Sequence, residues 1–444
     1  MRYTTFGRRT GLQISRIALG TGNLGTRWGH GTEPDEARRI LDRFVEAGGT
    51  VIDTANVYQG GQSEELVGDF VRSVRDDVVL ASKFGFGPDP ARPSSAKGNG
   101  LASMRSAVEG GLRRLGTDRL DVLWVHRPDG LTPIDEVLRG PSGLVDAGKV
   151  LHIGFSNFPA WRVARASLLA DVRGRAPVAG IQTEYSLVER GADRELVPMA
   201  EALGLGVAMW SPLGGGLLTG TYRHDAFGRA SELGMLVHAE SSARTTAVLD
   251  AVIRLAGDLD ATPAQVATAW LLERCRRLVT PAFPVVGPRS LAHLDDYLAA
   301  LTLTVTPAQF DELDRLSAPE PGSPHDGNLA SLDAVRGGRR DRLDVPVVPP
   351  WPDHATTGSP AASIRARVRA TAPRVAPRRR PPVSVRPSEA SMGAAAVSAT
   401  RAHHQSVSTV AESSGSNALR STPTCSASTS AASWCATSPS TRDG

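Results

Sequence analysis

The sequence predicts an α/β protein that folds as a (β/α)8 barrel of the TIM type. Two observations lead to this prediction. From residue 15 onward, short β-branched apolar runs alternate with longer amphipathic segments, a pattern typical of strands separated by crossover helices. Eight such units follow one another between residues 15 and 301. Right-handed crossovers make the strands parallel, and eight parallel strands can close on themselves.

The individual elements follow from the same patterns. Apolar runs predict strands at 15–20, 50–53, 77–83, 120–126, 150–154, 178–182, 205–210 and 283–286. Amphipathic spacing predicts helices at 34–47, 63–74, 100–115, 132–147, 159–170, 192–203, 263–277 and 290–301. A threonine followed directly or after one residue by proline offers a capping hydroxyl and a rigid first turn. Such start signals occur at Thr32, Thr132, Thr262 and Thr306.

Three segments are predicted to extend the barrel. Residues 1–14 are typical of a small hairpin that covers the barrel floor, and residues 211–257 form a long loop after strand 7 with an added helix near 243–256. Residues 1–344 are the predicted barrel domain. Residues 345–444 are a predicted disordered tail, because Ala, Ser, Thr, Pro and Arg dominate without apolar periodicity. A frameshift product and a natural flexible tail both remain open as its origin.

Charge and composition exclude several classes of function. The tail carries 11 Arg against 4 Asp or Glu, a net charge of +7, so the rest of the chain contributes −3 to the total of +4. We therefore expect no specific nucleic-acid partner, since basic tails bind anions nonspecifically. No signal peptide and no run of about 20 apolar residues is visible, which predicts a cytoplasmic protein without a membrane partner. The sequence does not indicate an oligomeric state.

Cysteine and histidine spacing argues against a metal site. The three cysteines are too few for a disulfide framework and show no zinc-ligand spacing. A metal-dependent barrel hydrolase would need a cluster of His, Asp or Glu ligands, and no HxH motif stands at a predicted strand end. We therefore expect no metal.

Polar residues end three of the apolar strands. Asp53 ends TVID, Lys83 ends VVLASK and His126 ends DVLWVH, while Tyr58 follows Asp53 by five residues. Strand ends converge at the C-terminal mouth of a barrel, so these four residues are expected to share one cavity. Each alone has an ordinary alternative: a helix cap for the aspartate, a core residue for the histidine, and packing for the tyrosine. Together they form an acid/base set.

The set suits proton donation to a carbonyl oxygen. A free phenol titrates near pH ~10, and an adjacent ammonium group stabilises its anion and makes it a stronger acid. Asp53 would keep Lys83 charged, and His126 would hydrogen-bond the carbonyl oxygen. None of these groups supplies a hydride, so the reaction needs a cofactor.

Several stretches resemble the aldo-keto reductase family over residues 1–344. They are ALGTGNLG, GGTVIDTANVYQGGQSEELVG, ASKFG, VHRPD, IGFSNF, IQTEYSL, WSPLGGGLLTG and VVGPRSLAHLDDYLAAL. The resemblance implies NADPH-dependent reduction of an aldehyde or ketone to an alcohol. It implies a catalytic tetrad of Asp53, Tyr58, Lys83 and His126. Some members of the family act mainly as cofactor-binding regulatory subunits, and this alternative stays open.

The resemblance also implies which residues bind NADPH. Ser156, Asn157 and Gln182 correspond to the trio that hydrogen-bonds the nicotinamide carboxamide. Trp210 stands where the family usually has a tyrosine beneath the nicotinamide, and an indole can also stack there. Near the pyrophosphate the implied residues are Ser211, Pro212 and Leu213.

At the adenosine end the implied residues are Gly287, Arg289, His293 and Asp296. Arg289 corresponds to an arginine that pairs with the 2′-phosphate, which favours NADPH over NADH. His293 and Tyr297 depart from the glutamine and asparagine common there. For the small-molecule carbonyl substrate, Trp28 in the loop after the first strand is the candidate wall, and an aromatic wall favours an apolar carbonyl compound.

Overall fold

Eight parallel strands form a closed barrel in the computed structural model, which describes residues 1–86, 97–223 and 238–338 together with Arg342. Each strand pairs with its neighbour in the sequence, and the last pairs with the first. The predicted barrel is therefore confirmed. Its strands are β3 (Ala18–Gly20), β4 (Val51–Asp53), β5 (Val79–Phe84), β6 (Leu120–Val125), β7 (Val150–Ser156), β8 (Val178–Glu184), β9 (Gly206–Trp210) and β10 (Ala282–Val286).

Helices surround the barrel. The predicted helices are present within a few residues of their expected bounds, and the last helix of the described residues was not predicted. They are α1 (Pro34–Glu46), α2 (Gln62–Val71), α3 (Leu101–Leu115), α4 (Ile134–Asp146), α5 (Ala160–Val172), α6 (Leu196–Leu203), α7 (Ala243–Asp258), α8 (Pro263–Arg277), α9 (Leu291–Ala299), α10 (Pro307–Ser317) and α11 (His325–Val335). The added helix predicted near 243–256 is α7. None of these helices has the length and apolar character needed to cross a bilayer.

The N-terminal hairpin is present, but the predicted boundary between it and the barrel is wrong. Its strands are β1 (Tyr3–Thr5) and β2 (Gln13–Ser15), which pair antiparallel. The predicted strand 15–20 is divided, because residue 15 belongs to the hairpin and the barrel strand begins at Ala18. The Ser15 hydroxyl donates to the Ile17 carbonyl at 2.6 Å, a local bond that competes with strand pairing.

Phe6 closes the floor of the barrel. Its ring makes edge contacts with Trp124 at 5.7 Å and with Phe283 at 6.0 Å between centroids. A Cβ added at Gly180 or Gly206 would lie 2.7 or 2.9 Å from atoms of this ring, so the two glycines make room for it. Burial of such a ring contributes about 1.5–3 kcal/mol.

Two of the four predicted helix caps are confirmed, and the other two predictions are wrong. Thr262 and Thr306 accept hydrogen bonds from the backbone three residues on, and both form capping boxes. Thr132 and Thr32 do not cap. The Thr132 hydroxyl donates to Asp129 at 2.5 Å, and the Thr32 hydroxyl donates to a backbone carbonyl of the β10–α9 connection at 3.1 Å. A local carboxylate therefore takes the Thr132 hydroxyl from the helix start, and a distant carbonyl takes that of Thr32.

The predicted tail, residues 345–444, lies outside the described residues. The boundary at residue 344 stays a prediction.

Candidate active site

A buried ion pair stands at the C-terminal ends of β4 and β5. Lys83 Nζ donates to the Asp53 carboxylate and, at 2.9 Å, to the Thr54 carbonyl, and the side chains of Lys83 and Asp53 are 0% and 4% exposed. Burial alone would lower the pKa of Lys83, but Asp53 and Tyr58 outweigh it and the pKa is raised above its usual value. The lysine is therefore held as an ammonium ion.

Gln182 at the end of β8 reaches across the barrel to the same carboxylate. Its Nε2 donates to Asp53 Oδ1 at 3.0 Å, so both carboxylate oxygens have a donor. The sequence predicted only a cofactor role for Gln182. No local pattern could have indicated this contact, since the two residues are 129 positions apart.

Tyr58 lies over the ion pair. It begins a short 3-10 turn after β4, and its ring centroid is 4.8 Å from Lys83 Nζ. The half-buried Tyr58 ring also makes edge contacts with His126 at 5.9 Å and with Trp28 at 6.4 Å. The structure thus brings the four predicted acid/base residues together and places Trp28 beside them.

His126 follows β6 and is a neutral imidazole. Burial lowers its pKa from 6.5 to about 2, and the positive charges of Lys83 and Arg127 add to this effect. Its Nδ1 is buried and has no hydrogen-bond partner among the described residues. A neutral imidazole has one donor and one acceptor nitrogen, so it can hydrogen-bond an oxygen of a bound molecule.

These residues open into a cavity of about 1140 Å³, which we call the cleft. Asp53, Tyr58, His126 and Trp28 line it, whereas Lys83 is fully buried behind the carboxylate. The candidate cofactor residues line the same cleft. They are Ser156, Asn157, Gln182, Trp210, Ser211, Pro212, Leu213, Gly287, Arg289, His293 and Asp296.

Comparison with known proteins identifies the family. The sequence profile of the Aldo/keto reductase family matches residues 16–318. This chain belongs to the aldo/keto reductase family. It is therefore an oxidoreductase of a family that acts on carbonyl groups.

Three relatives illustrate the breadth of this similarity. Norsolorinic acid reductase of Aspergillus flavus is 34% identical over 314 residues, which cover 68% of this chain and 78% of that protein. An NADP(+) aryl-alcohol dehydrogenase of Phanerodontia chrysosporium is 33% identical over 324 residues, 68% and 82% of the two chains. An uncharacterised oxidoreductase of Bacillus subtilis is 35% identical over 316 residues, 69% and 92% of the two chains.

In this aldo/keto reductase the ends of β7 and β9 are joined by a side-chain network. Asn157 has φ +60°, a region that asparagine tolerates better than most residues. Its Nδ2 donates to Ser156 Oγ at 3.0 Å and to the His126 carbonyl at 3.1 Å. Trp210 Nε1 donates to Asn157 Oδ1 at 3.2 Å. The Asn157 amide therefore positions Trp210 and the backbone of His126, a role that the sequence did not indicate.

The other end of the cleft is formed by the start of α9. Arg289 precedes this helix by two residues, and Ser290 caps it by accepting from the His293 backbone at 3.3 Å. Asp296 Oδ1 accepts from Gln265 Nε2 at 2.8 Å, which ties α9 to α8. A guanidinium group and a helix N-terminus together make this end of the cleft suitable for an anion.

Phe86, Arg127 and Glu184 are among the residues that line the cleft and were not predicted as site residues from the sequence. Phe86 is 43% exposed and lies two residues beyond the end of β5, whereas Arg127 directly follows His126. The signal was present, because each lies at a strand end. They lie one to three residues beyond the polar strand-end residues that were predicted to form the site.

Proposed function

We propose that this aldo/keto reductase reduces an aldehyde or ketone to an alcohol with NADPH, with Tyr58 as the proton donor. The observation that carries the proposal is the charged Lys83, held by Asp53 and lying 4.8 Å from the Tyr58 ring at the inner end of the cleft. A phenol beside a fixed ammonium ion can give up its proton because the phenolate is stabilised.

The cleft fits a nicotinamide dinucleotide. Its volume of about 1140 Å³ exceeds the ~300–1,000 Å³ typical of sites for drug-sized ligands. Ser156, Gln182 and Trp210 would hold the nicotinamide, since they offer a hydroxyl, an amide and an aromatic face. Arg289 at the start of α9 would bind the 2′-phosphate. When bound, the cofactor supplies the hydride that the carbonyl carbon accepts.

The residues of this chain then bind and protonate the carbonyl oxygen of the substrate. Neutral His126 donates a hydrogen bond to that oxygen and orients it beside Tyr58. As the carbon gains the hydride, the C=O π pair moves to the oxygen, which takes the proton from Tyr58 Oη. Lys83 stabilises the phenolate left behind, and Asp53 with Gln182 keeps Lys83 in place. The carbonyl compound therefore gains one hydride and one proton and becomes the alcohol.

A turnover assay tests the proposal. The full chain is mixed with 4-nitrobenzaldehyde and either NADPH or NADH, and loss of the reduced cofactor is followed by absorbance. We expect alcohol formation with NADPH and slower formation with NADH. NADPH binding without turnover of this or any other reactive aldehyde would contradict the proposal.

A further inference from the structure

Arg127 presents an exposed guanidinium group to the cleft beside His126. Its Cζ lies 5.7 Å from the centroid of the Phe86 ring, and that ring lies 5.2 Å from the His126 ring. Phe86 is therefore the apolar surface between the polarising imidazole and the cation. Both distances are within the range of ring and cation–π contacts.

Among the described residues that line the cleft, no carboxylate pairs with the Arg127 guanidinium group. Among the described residues, each carboxylate that lines the cleft has another partner. Asp53 binds Lys83, Glu184 binds His238 Nε2 at 2.9 Å, and Asp296 binds the Gln265 amide. None of the ion pairs formed between described residues includes Arg127.

The backbone that carries Arg127 is fixed by a reciprocal clamp. Asn99 Nδ2 donates to the Arg127 carbonyl at 3.0 Å. The Asp129 backbone donates to Asn99 Oδ1 at 2.9 Å, and the Asn99 backbone donates to Asp129 Oδ2 at 2.8 Å. The Arg127 side chain thus extends from a rigid base, which reduces the entropy lost when it binds an anion.

We propose that Arg127 selects aromatic aldehydes that carry a carboxylate on the side of the ring opposite to the aldehyde. The substrate ring would pack on Phe86, with its aldehyde at Tyr58 and His126 and its carboxylate on the Arg127 guanidinium, which binds carboxylates in a bidentate manner. The proposal rests on the proposed reductase function and names the substrate class for the same site.

Two aldehydes of equal size test this selectivity. The carboxylate probe is 4-carboxybenzaldehyde, and the neutral probe is 4-formylbenzamide. We expect the unsubstituted enzyme to prefer the carboxylate, and Arg127→Met to reduce the ratio of the two kcat/KM values roughly tenfold, mainly through KM for the carboxylate. Arg127→Lys should keep part of the preference. Added salt should weaken it, because an exposed charge pair is screened.

Arg139→Met is the matched control, since Arg139 is an exposed arginine on α4 away from the cleft, and it should leave the ratio unchanged. If the unsubstituted enzyme reduces both probes equally and Arg127→Met leaves the ratio unchanged, the selectivity proposal is wrong while the reductase function stands. If the enzyme reduces 4-nitrobenzaldehyde but neither probe, the selectivity proposal is also wrong. Failure with all three aldehydes would overturn the proposed function itself.

Discussion

Two sites in the described part of the chain place a tyrosine against a buried cation, and they differ in what surrounds the phenol. One is the pair of Tyr58 and Lys83 at the cleft. The other, the Tyr185 cluster, consists of Tyr185, Asp193, Arg190 and Arg274. Tyr185 Oη donates to Asp193 at 2.8 Å and accepts from Arg274 Nε at 3.0 Å. Its phenol is therefore fully occupied by protein partners.

The Tyr185 cluster is also closed to solvent. Tyr185 is 0% exposed and its ring stacks on Trp270 at 6.3 Å. Burial raises the pKa of Tyr185 well above its usual value, so it is a poor proton donor. Tyr58, by contrast, lines the cleft. The acid/base role proposed for Tyr58 thus depends on a hydroxyl that can reach a ligand, whereas the enclosed Tyr185 is a structural element.

Replacing each tyrosine by phenylalanine tests this contrast with the largest expected effect. Tyr58→Phe should lower kcat/KM about a hundred- to ten-thousandfold, because the proton donor is lost, and leave NADPH binding nearly unchanged. Tyr185→Phe should keep kcat/KM within a few fold but cost about 1–3 kcal/mol of unfolding free energy, because Asp193 and Arg274 lose a partner. Steady-state kinetics and urea unfolding measure both. Reductase activity of Tyr58→Phe near that of the unsubstituted enzyme would disprove the assignment.

Replacing Lys83 or Arg274 by methionine distinguishes an effect on kcat from an effect on the free energy of unfolding. Lys83→Met should lower kcat about a hundredfold, because the phenolate loses its neighbouring charge. Lys83→Met leaves the buried Asp53 carboxylate without its cation, which costs about 3–5 kcal/mol. Arg274→Met should cost less, because Asp193 keeps its ion pair with Arg190 at 2.8 Å. Only Lys83→Met should slow turnover when both variants are assayed below their melting temperatures. Equal kcat values for the two variants would show that Lys83 acts only as a structural residue.

Lys83 and Arg274 bind groups of the protein, whereas the proposed partner of Arg289 is the 2′-phosphate of NADPH. Arg289→Ala should weaken NADPH binding roughly ten- to a hundredfold and leave NADH binding unchanged, because only NADPH carries the 2′-phosphate. Arg39→Ala, on the exposed face of α1, is the control. Fluorescence titration of both cofactors measures the effect. Equal losses for NADPH and NADH would assign Arg289 another role.

The stability of the protein in acid depends on the buried imidazole of His126 at the cleft. The pKa of His126 is about 2 in the folded protein, against 6.5 ordinarily, so the unfolded chain binds more protons at any pH between these values. Stability therefore falls as the pH drops below 6.5, by about 2 kcal/mol between pH 6.5 and 5. His126→Asn should flatten this loss in urea unfolding.

His238→Asn gives a control of opposite sign. The hydrogen bond that His238 donates to Glu184 raises the pKa of His238 against the effect of burial, so its protonation stabilises the folded enzyme in acid. Its removal should steepen the acid loss. The interpretation fails if both variants change the acid loss in the same direction.

Truncation after Asp344 should have the smallest effect. Among the described residues, the contacts of the Tyr185 cluster extend as far as Ser317, and the residues lining the cleft end at Tyr297. We expect kcat/KM within about twofold and a melting temperature within about two degrees of the full chain, because a tail of this composition is predicted to make no buried contact. A loss of activity, or a melting temperature lower by many degrees, would show that the tail packs on the barrel.

The fold could be predicted from the sequence because its signal is local. Apolar periodicity within each segment indicates a strand or helix, and all eight barrel strands were found in this way. Boundaries were less certain where a side chain bonds outside its own element. Ser15 and Thr50 exchange two hydrogen bonds at 2.9 and 3.0 Å, and the Thr32 hydroxyl binds a carbonyl of the β10–α9 connection instead of capping α1. These partners are distant in the sequence and are set by tertiary structure. Thr132 instead binds a local competitor, Asp129, three residues before it.

The site was predictable only in part for the same reason. Asp53, Lys83 and His126 stand out because charged or polar groups end apolar strands. Tyr185 also lies beyond the C-terminal end of a strand, directly after β8, and its neighbours in the sequence do not show that its hydroxyl is enclosed. The enclosure depends on Asp193 and Arg274, which α8 and the turn before α6 bring to it.

Phe6 in the hairpin must match the residues at two positions on distant strands. Its ring occupies the space that side chains at Gly180 and Gly206 would need, although about 170 to 200 positions separate them in the chain. A chimera that took a hairpin lacking this phenylalanine would leave a hole under the barrel, and one that acquired alanine at either glycine would clash with the ring. In evolution or in engineered recombination, the three positions are therefore expected to be exchanged together.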